Sequence, residues 1–250
     1  MLGIEACETL RPAPAGIGLL PGQARVEGSG LPPVRLAPSD TTALREALRP
    51  LLKRALDIAG ATMLLLACMP AFLLLAMLVR RDGGPVFYAH ERIGLGGRRF
   101  GCLKFRSMVV DADRRLAELL ERDPAAREEW ETCRKLRNDP RVTWVGRFLR
   151  ATSLDELPQL VNVLRGEMSL VGPRPVQAAE LEKHYGTAAA HYLAVRPGIT
   201  GPWQVSGRSD TTYATRVALD VQYATAPSLW TDLRILARTP FAVLAQRGAY

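Results

Sequence analysis

Cysteine is scarce, with 4 in 250 residues, and Cys7, Cys68, Cys102 and Cys133 never reach a C-x-x-C spacing. That excludes a disulfide-dense scaffold and a zinc ribbon, and scattered thiols fit a reducing compartment. Histidine is scarcer still: His90, His184 and His191 form no H-x-x-x-H pair. The chain start lacks a basic region followed by an apolar core, carrying instead Glu5, Glu8 and several prolines, so no secretory signal is expected. Acidic residues are outnumbered, 25 against 33 basic, for a net charge of +8. Such a surplus calls for an anionic partner: nucleic acid, an anionic membrane surface or a phosphorylated ligand. No helix-turn-helix or RNA-recognition pattern accompanies it, so nucleic acid is not an expected partner. What the chain does have is apolar residues, 48% of the total. That excludes disorder throughout and allows one large domain or two small ones.

Three stretches differ in character. Residues 1–40 mix Pro12, Pro14, Pro21, Pro32, Pro33 and Pro38 with glycines and hold no period. They read as a disordered or loosely attached arm, with a loop-rich part of the fold as the alternative. Residues 41–82 form a membrane-associated segment. Between Asp57 and Arg80 lie 22 uncharged residues, enough for a membrane helix. Pro70 interrupts them, and basic pairs flank both ends, Lys53-Arg54 and Arg80-Arg81. A plain span wants its basic excess on one side. A re-entrant helix that turns at Pro70 answers both observations, since each arm, at 1.5 Å per residue, is too short to cross about 30 Å of hydrocarbon. A spanning helix and a buried soluble helix are the alternatives. Mean hydropathy of zero is then a cancellation between this segment and a charged remainder.

Residues 83–250 form the remaining, charged portion. PVFYAHERIG and RRFGCLKFRS flank Leu95-Gly96-Gly97 as a β-hairpin. Residues 111–137 form a solvated helical pair broken at Pro124, and further helices run to the C-terminus. The fold class expected is α/β, mostly helical. Arg141, Arg147 and Arg150 alternate with Val142, Trp144, Val145, Phe148 and Leu149. That pattern fits an amphipathic helix lying on anionic lipid or, equally, a core-facing surface helix. Leu229, Trp230, Leu233 and Leu236 invite the same two readings.

The residues with chemical potential each have a structural alternative. Ser153-Leu154-Asp155-Glu156 ahead of an apolar run is a capping box, Ser153 as N-cap and Glu156 reaching back. Pro158 places Asp155 at the helix start, where an ionised aspartate also serves as nucleophile or metal ligand with Glu156 beside it. Pro173-Arg174-Pro175 holds an arginine between two residues of fixed φ, a rigid phosphate contact or an ordinary turn. Lys104 and Arg106 add cations after the hairpin, or decorate an exposed strand. Arg196-Pro197-Gly198 and Gly201-Pro202-Trp203 make turns before Arg208. Asp220 is by itself a solvated helical carboxylate.

The order of these elements is more specific than any one of them. K-R-x-x-D-I, a Pro-broken apolar segment, GPVFY, KFRSM, SLDELPQLVNVLRGEMSLVGPRP and RPGITGPWQVSGR follow in turn. Over roughly residues 50–240 the set resembles the bacterial sugar transferases, the monotopic phosphoglycosyl transferases. The resemblance implies transfer of sugar-1-phosphate from a UDP-sugar, galactose or glucose, to undecaprenyl phosphate with release of UMP, the priming step of exopolysaccharide or capsule assembly. It implies Asp155 as nucleophile through a phosphosugar–aspartyl intermediate and Glu156 as its aid, with Mg²⁺ held by Asp155 and Glu156. Lys104 joins the catalytic set. Arg106, Pro173, Arg174, Pro175, Arg196, Arg208 and Asp220 are implied as substrate-binding residues. The family bend is a Ser-Pro pair; here Met69 precedes Pro70. Implied too are membrane lipid and downstream glycosyltransferases as partners, and the cytoplasmic face of the bacterial inner membrane as location. A non-catalytic scaffold of a polysaccharide assembly complex, its Asp-Glu pair a mere helix cap, is the rival reading.

Overall fold

The computed structural model describes residues 40–133, 136–207 and 212–244. The arm expected over 1–40, Asp40 apart, and Arg208 lie outside the described residues. The chain opens with α1 (Asp40–Arg80), rich in Leu, Ala and Met, which favour helix. Pro70 was expected to break this segment, yet the helix runs on through both Pro50 and Pro70. A proline removes one hydrogen bond and crowds one turn, which strong helix formers on either side survive. Among the described residues, Leu48–Arg80 is the one helix long and apolar enough to cross a membrane.

The expected hairpin is present, β1 (Phe87–Ile93) antiparallel to β2 (Arg99–Phe105) with His90 opposite Cys102 and Tyr88 opposite Lys104. Its tight connection uses Gly96 at φ 64° and Gly97 at φ 80°, a region that favours glycine. The expected helical pair follows as α2 (Ala112–Arg122) and α3 (Pro124–Cys133), Pro124 opening the second helix where its missing N–H costs nothing. Next comes α4 (Trp144–Thr152). The Thr143 hydroxyl caps it by accepting from the Gly146 N–H at 2.9 Å. Gly146 is required there, because a Cβ would fall 1.9 Å from the Ser107 carbonyl oxygen.

α5 (Gln159–Arg165) leads to β3 (Ser169–Val171), α6 (Ala178–Tyr185), α7 (Ala189–Leu193) and β4 (Gly198–Thr200). The chain then forms α8 (Pro202–Val205), α9 (Tyr213–Thr225) and α10 (Leu229–Leu244). β3 and β4 pair in parallel, Ser169 with Gly198 and Val171 with Thr200. Sequence reading omits this pair, since three-residue strands carry too little alternation to register.

Both halves of α1 rest on the same body. The first half packs Ala61 with Phe100, Leu160 and Met168, and the second packs Leu75 and Val79 with Phe105, Val145 and Leu149. Leu157 touches both clusters. Lys53 spans Asp57 (3.1 Å) and Asp232 of α10 (3.3 Å). Asp57 also accepts from the Ser169 hydroxyl and the Leu170 N–H, fastening α1 to β3. Arg54 donates to the carbonyls of Val163 and Leu164 at the end of α5. The K-R-x-x-D-I signature is therefore a joint. Met63, Leu64, Leu66, Leu73, Leu74 and Met77 face outward from α1, as do Trp144 and Phe148 from α4 and Trp230 and Leu233 from α10. Val145, Leu149 and Ile235 of α4 and α10 point into the core. Each of these two helices thus has a core-facing stripe and an exposed apolar one.

Candidate active site

The site begins where α4 ends. Ser153 adopts the left-handed conformation, φ 57° and ψ 17°, alone among the described non-glycine residues, and turns the chain into a tight helical turn at Leu154–Glu156. The capping box foreseen at Ser153–Glu156 does not form. In this conformation Ser153 closes α4, its N–H donating to the Arg150 carbonyl, and its side chain caps nothing. Glu156 turns to Lys104 instead. Pro158 begins α5 just beyond, so Asp155 stands in the turn before the helix, with only 8% of its surface exposed.

Lys104 reaches across from β2 to both carboxylates, its Nζ 3.2 Å from Asp155 and 2.8 Å from Glu156. Burial pushes the Asp155 carboxyl above the usual range; the Lys104 ammonium opposes that shift and the Glu156 charge adds to it. Burial alone would lower the Lys104 ammonium, but Glu156 and Asp155 outweigh it and hold the charge on the lysine. The result is a partly desolvated carboxylate, more basic than a surface aspartate, kept ionised by an adjacent cation. That is the condition of a usable oxygen nucleophile.

A small cleft opens beside this trio. Lys104 and Glu156 line it with Arg92, Cys102 and Gln159, and from the other side come Arg174, Pro175, Ile199 and Gln204. Arg174 and Pro175 follow β3 and Gln204 follows β4, while Ile199 belongs to β4 itself. Its enclosed volume is about 20 Å³, room for little more than a water molecule, so a larger ligand lies across its mouth. Arg174 is carried from β3 by its two prolines, and its guanidinium rests 5.7 Å from the Trp203 ring centre. Burial pushes the Cys102 thiol up to about 11, leaving it inert at neutral pH. A roomier hollow of about 290 Å³ between α2 and α3, lined by Leu120, Glu121 and Arg127, gathers no such chemistry.

Not every residue singled out by sequence reaches the cleft. Arg106, two positions from Lys104, is committed elsewhere: its five N–H groups go to Asp82 twice and to the carbonyls of Val79, Pro85 and Met108. No donor remains for a phosphate, so Arg106 rivets the end of α1 to the hairpin. Arg196 donates to the Gly166 carbonyl at the far end of α5, away from the carboxylates. Asp220 is buried rather than solvated, accepting from the Tyr185 hydroxyl at 2.6 Å while one oxygen finds no partner among the described residues. Burial pushes its carboxyl up to about 6. Pro173 lies behind the cleft, its carbonyl accepting from the Gly198 N–H. Arg92, Gln159 and Gln204 line the cleft without having been singled out. Hairpin register places Arg92 on the face shared by Cys102 and Lys104, and strand alternation is the signal that finds it. Asn162, fully buried, bonds the Leu103 N–H and the Gly101 carbonyl and so fixes α5 against β2.

No cluster of three or more metal-ligating side chains occurs among the described residues. Asp155 and Glu156 nonetheless fit one ion: Mg²⁺ commonly takes one or two carboxylates and completes its shell with water and substrate phosphate.

Residues 48–246 match the family described as bacterial sugar transferase. The UDP-galactose-lipid carrier transferase of Erwinia amylovora is 54% identical over 199 residues, 80% of this chain and 42% of its own length. The exopolysaccharide production protein ExoY of Sinorhizobium fredii is 53% identical over 214 residues, 85% of this chain and 94% of its own. The UDP-glucose:undecaprenyl-phosphate glucose-1-phosphate transferase of Caulobacter vibrioides is 36% identical across 100% of this chain and 90% of its own length. The chain thus spans about two fifths of the first relative and most of the other two.

Proposed function

The chain belongs to the bacterial sugar transferase family, and from that premise we propose that it moves sugar-1-phosphate from a UDP-sugar to undecaprenyl phosphate, priming an exopolysaccharide. One observation carries the reading: Asp155, shielded from solvent, is held by Lys104, which with Glu156 and Arg174 lines the adjoining cleft. An Asp155 oxygen attacks the β-phosphorus of the donor. A bond forms from that oxygen to phosphorus, and the anhydride bond to the α-phosphate breaks, its electrons leaving with UMP. The lipid phosphate then attacks the aspartyl phosphosugar, forming the lipid diphosphate sugar and freeing the carboxylate. Lys104 keeps Asp155 ionised and aimed, while Arg174 answers charge on the phosphoryl oxygens. Mg²⁺, held by Asp155 and Glu156, would supply further charge neutralisation on the diphosphate. The higher identity with the galactose-named relative puts galactose ahead of glucose.

The protein works in the membrane. A re-entrant α1 is supported by its two halves lying on one body while Met63, Leu64 and Leu66 between them face outward. Trp144 and Phe148 of α4 and Trp230 and Leu233 of α10 then rest in the headgroup layer on the cytoplasmic side of the inner membrane. Downstream glycosyltransferases would receive the product. The scaffold alternative leans on a helix cap at Ser153–Glu156, and no such cap is formed.

The test combines membranes bearing the protein with undecaprenyl phosphate, Mg²⁺ and a panel of UDP-sugars, reading UMP release. Wild type is expected to release UMP with one sugar preferred and Asp155→Asn to release none; equal release from both would refute the mechanism. Cysteine labelling on both sides of α1 checks topology, and periplasmic labelling of either end would replace the re-entrant helix by a span.

A further inference from the structure

Arg92 stands on the cleft wall with Lys104 and Arg174, and three cations so placed repel one another. Lys104 is answered by Asp155 and Glu156. Arg92 is answered less well: Glu180 Oε2 is 3.9 Å from its Nη1, and the other oxygen of Glu180 accepts from Tyr213 at 2.6 Å and Arg216 at 3.0 Å. Arg174 has no carboxylate within ion-pair distance among the described residues. Burial and the facing Arg174 both pull the Arg92 guanidinium below its usual value, although a guanidinium stays charged at neutral pH. Positive charge only partly compensated therefore faces one small opening.

Gln204 is a second pointer to a ligand. It lines the same cleft, is more than nine-tenths buried, and its amide oxygen has no hydrogen-bond partner among the described residues. A ligand hydroxyl would satisfy it. Anionic oxygens beside hydroxyl groups are the chemistry of a nucleoside diphosphate sugar.

We propose that Arg92 is a further phosphate-binding residue, which with Arg174 grips the donor's diphosphate across the cleft mouth while Lys104 stays with the carboxylates. The planar fork of a guanidinium suits two phosphate oxygens at once. This assignment rests on the function proposed above and extends it.

The full chain in lipid nanodiscs is titrated with UDP by calorimetry, and with uridine by competition against UDP. Arg92→Met is expected to weaken UDP binding about 10- to 100-fold, the loss of one charged hydrogen-bonding group, and to leave uridine within about 2-fold. Arg92→Lys keeps the charge but loses the fork, and it should fall between Arg92→Met and wild type. It serves as the deciding variant if Arg92→Met does not fold. UDP affinity unchanged in Arg92→Lys or in folded Arg92→Met, or equal losses for UDP and uridine, would overturn the proposal. UDP binding that depends on Arg92 in a chain without transferase turnover would support this site and refute the reaction. Turnover with UDP affinity indifferent to Arg92 would do the reverse.

Discussion

The same three charges are assembled twice, once as a joint and once at the cleft. Lys53 holds Asp57 and Asp232 at 3.1 and 3.3 Å; Lys104 holds Asp155 and Glu156 at 3.2 and 2.8 Å. The surroundings differ. Asp57 also takes bonds from Ser169 and Leu170, Asp232 takes one from Tyr223, and both side chains are all but sealed from solvent. Asp155 and Glu156 keep 12% and 24% of their side chains exposed, and Glu156 lines a cleft that holds further cations. A carboxylate sealed from solvent among protein donors holds structure together. One that stays partly open to solvent beside a cleft can react.

The largest expected effect is on turnover. Asp155→Asn should lower UMP release by about 10³-fold or more while moving the melting temperature by only about 3 °C. Asp57→Asn should do the opposite, losing stability while the folded fraction keeps its turnover per molecule. Retained activity in Asp155→Asn would erase the distinction between the two trios. Next comes Lys53→Met, which leaves two buried carboxylates unanswered. It should cost about 3–5 kcal/mol, roughly 10 °C in melting temperature, and Lys104→Met should cost clearly less in the same thermal scan.

Asp220 is another buried carboxylate, with one oxygen unpartnered among the described residues, and pH reads its cost. Its folded value of about 6 lies above the ordinary 3.8, so the folded chain binds this proton more tightly than the unfolded chain does. Its favourable contribution is complete below about pH 4 and lost as pH rises through about 6, a difference of about 3 kcal/mol. Wild type should therefore gain melting temperature between pH 7 and pH 5, and Asp220→Asn should show a flatter profile; identical profiles would place that proton elsewhere. The smallest effect belongs to Ser153. Ser153→Gly should be neutral or stabilise by up to about 1 kcal/mol, since glycine accepts positive φ freely. Ser153→Val should cost about 1–2 kcal/mol and slow turnover by shifting Asp155.

Local pattern carried the hairpin, the α2–α3 pair and the amphipathic α4, because each is written in neighbouring residues. Lys104, Asp155, Glu156 and Arg174 were legible as one motif set, and the fold brings them to one place. Arg106 was misplaced because its fate depends on Asp82 and the exposed carbonyls at the end of α1, which no local pattern announces. Arg196 was misplaced likewise, by the Gly166 carbonyl thirty positions away. Ser153 hid its role because its residues spell a capping box and only backbone geometry shows the left-handed turn. Arg92 was within reach, had strand alternation been carried across the hairpin register.

The joint between α1 and the body has a consequence for biosynthesis. Lys53 leaves the ribosome about 180 residues before its partner Asp232. At about 5–20 residues per second that is an interval of roughly 10–35 s. Arg54 and Asp57 wait about three fifths as long for α5 and β3. Throughout that time the apolar helix exists without the body that will seat it. On the proposed membrane seating of α1, insertion is thus an early step in making this enzyme, with the cleft completed afterwards.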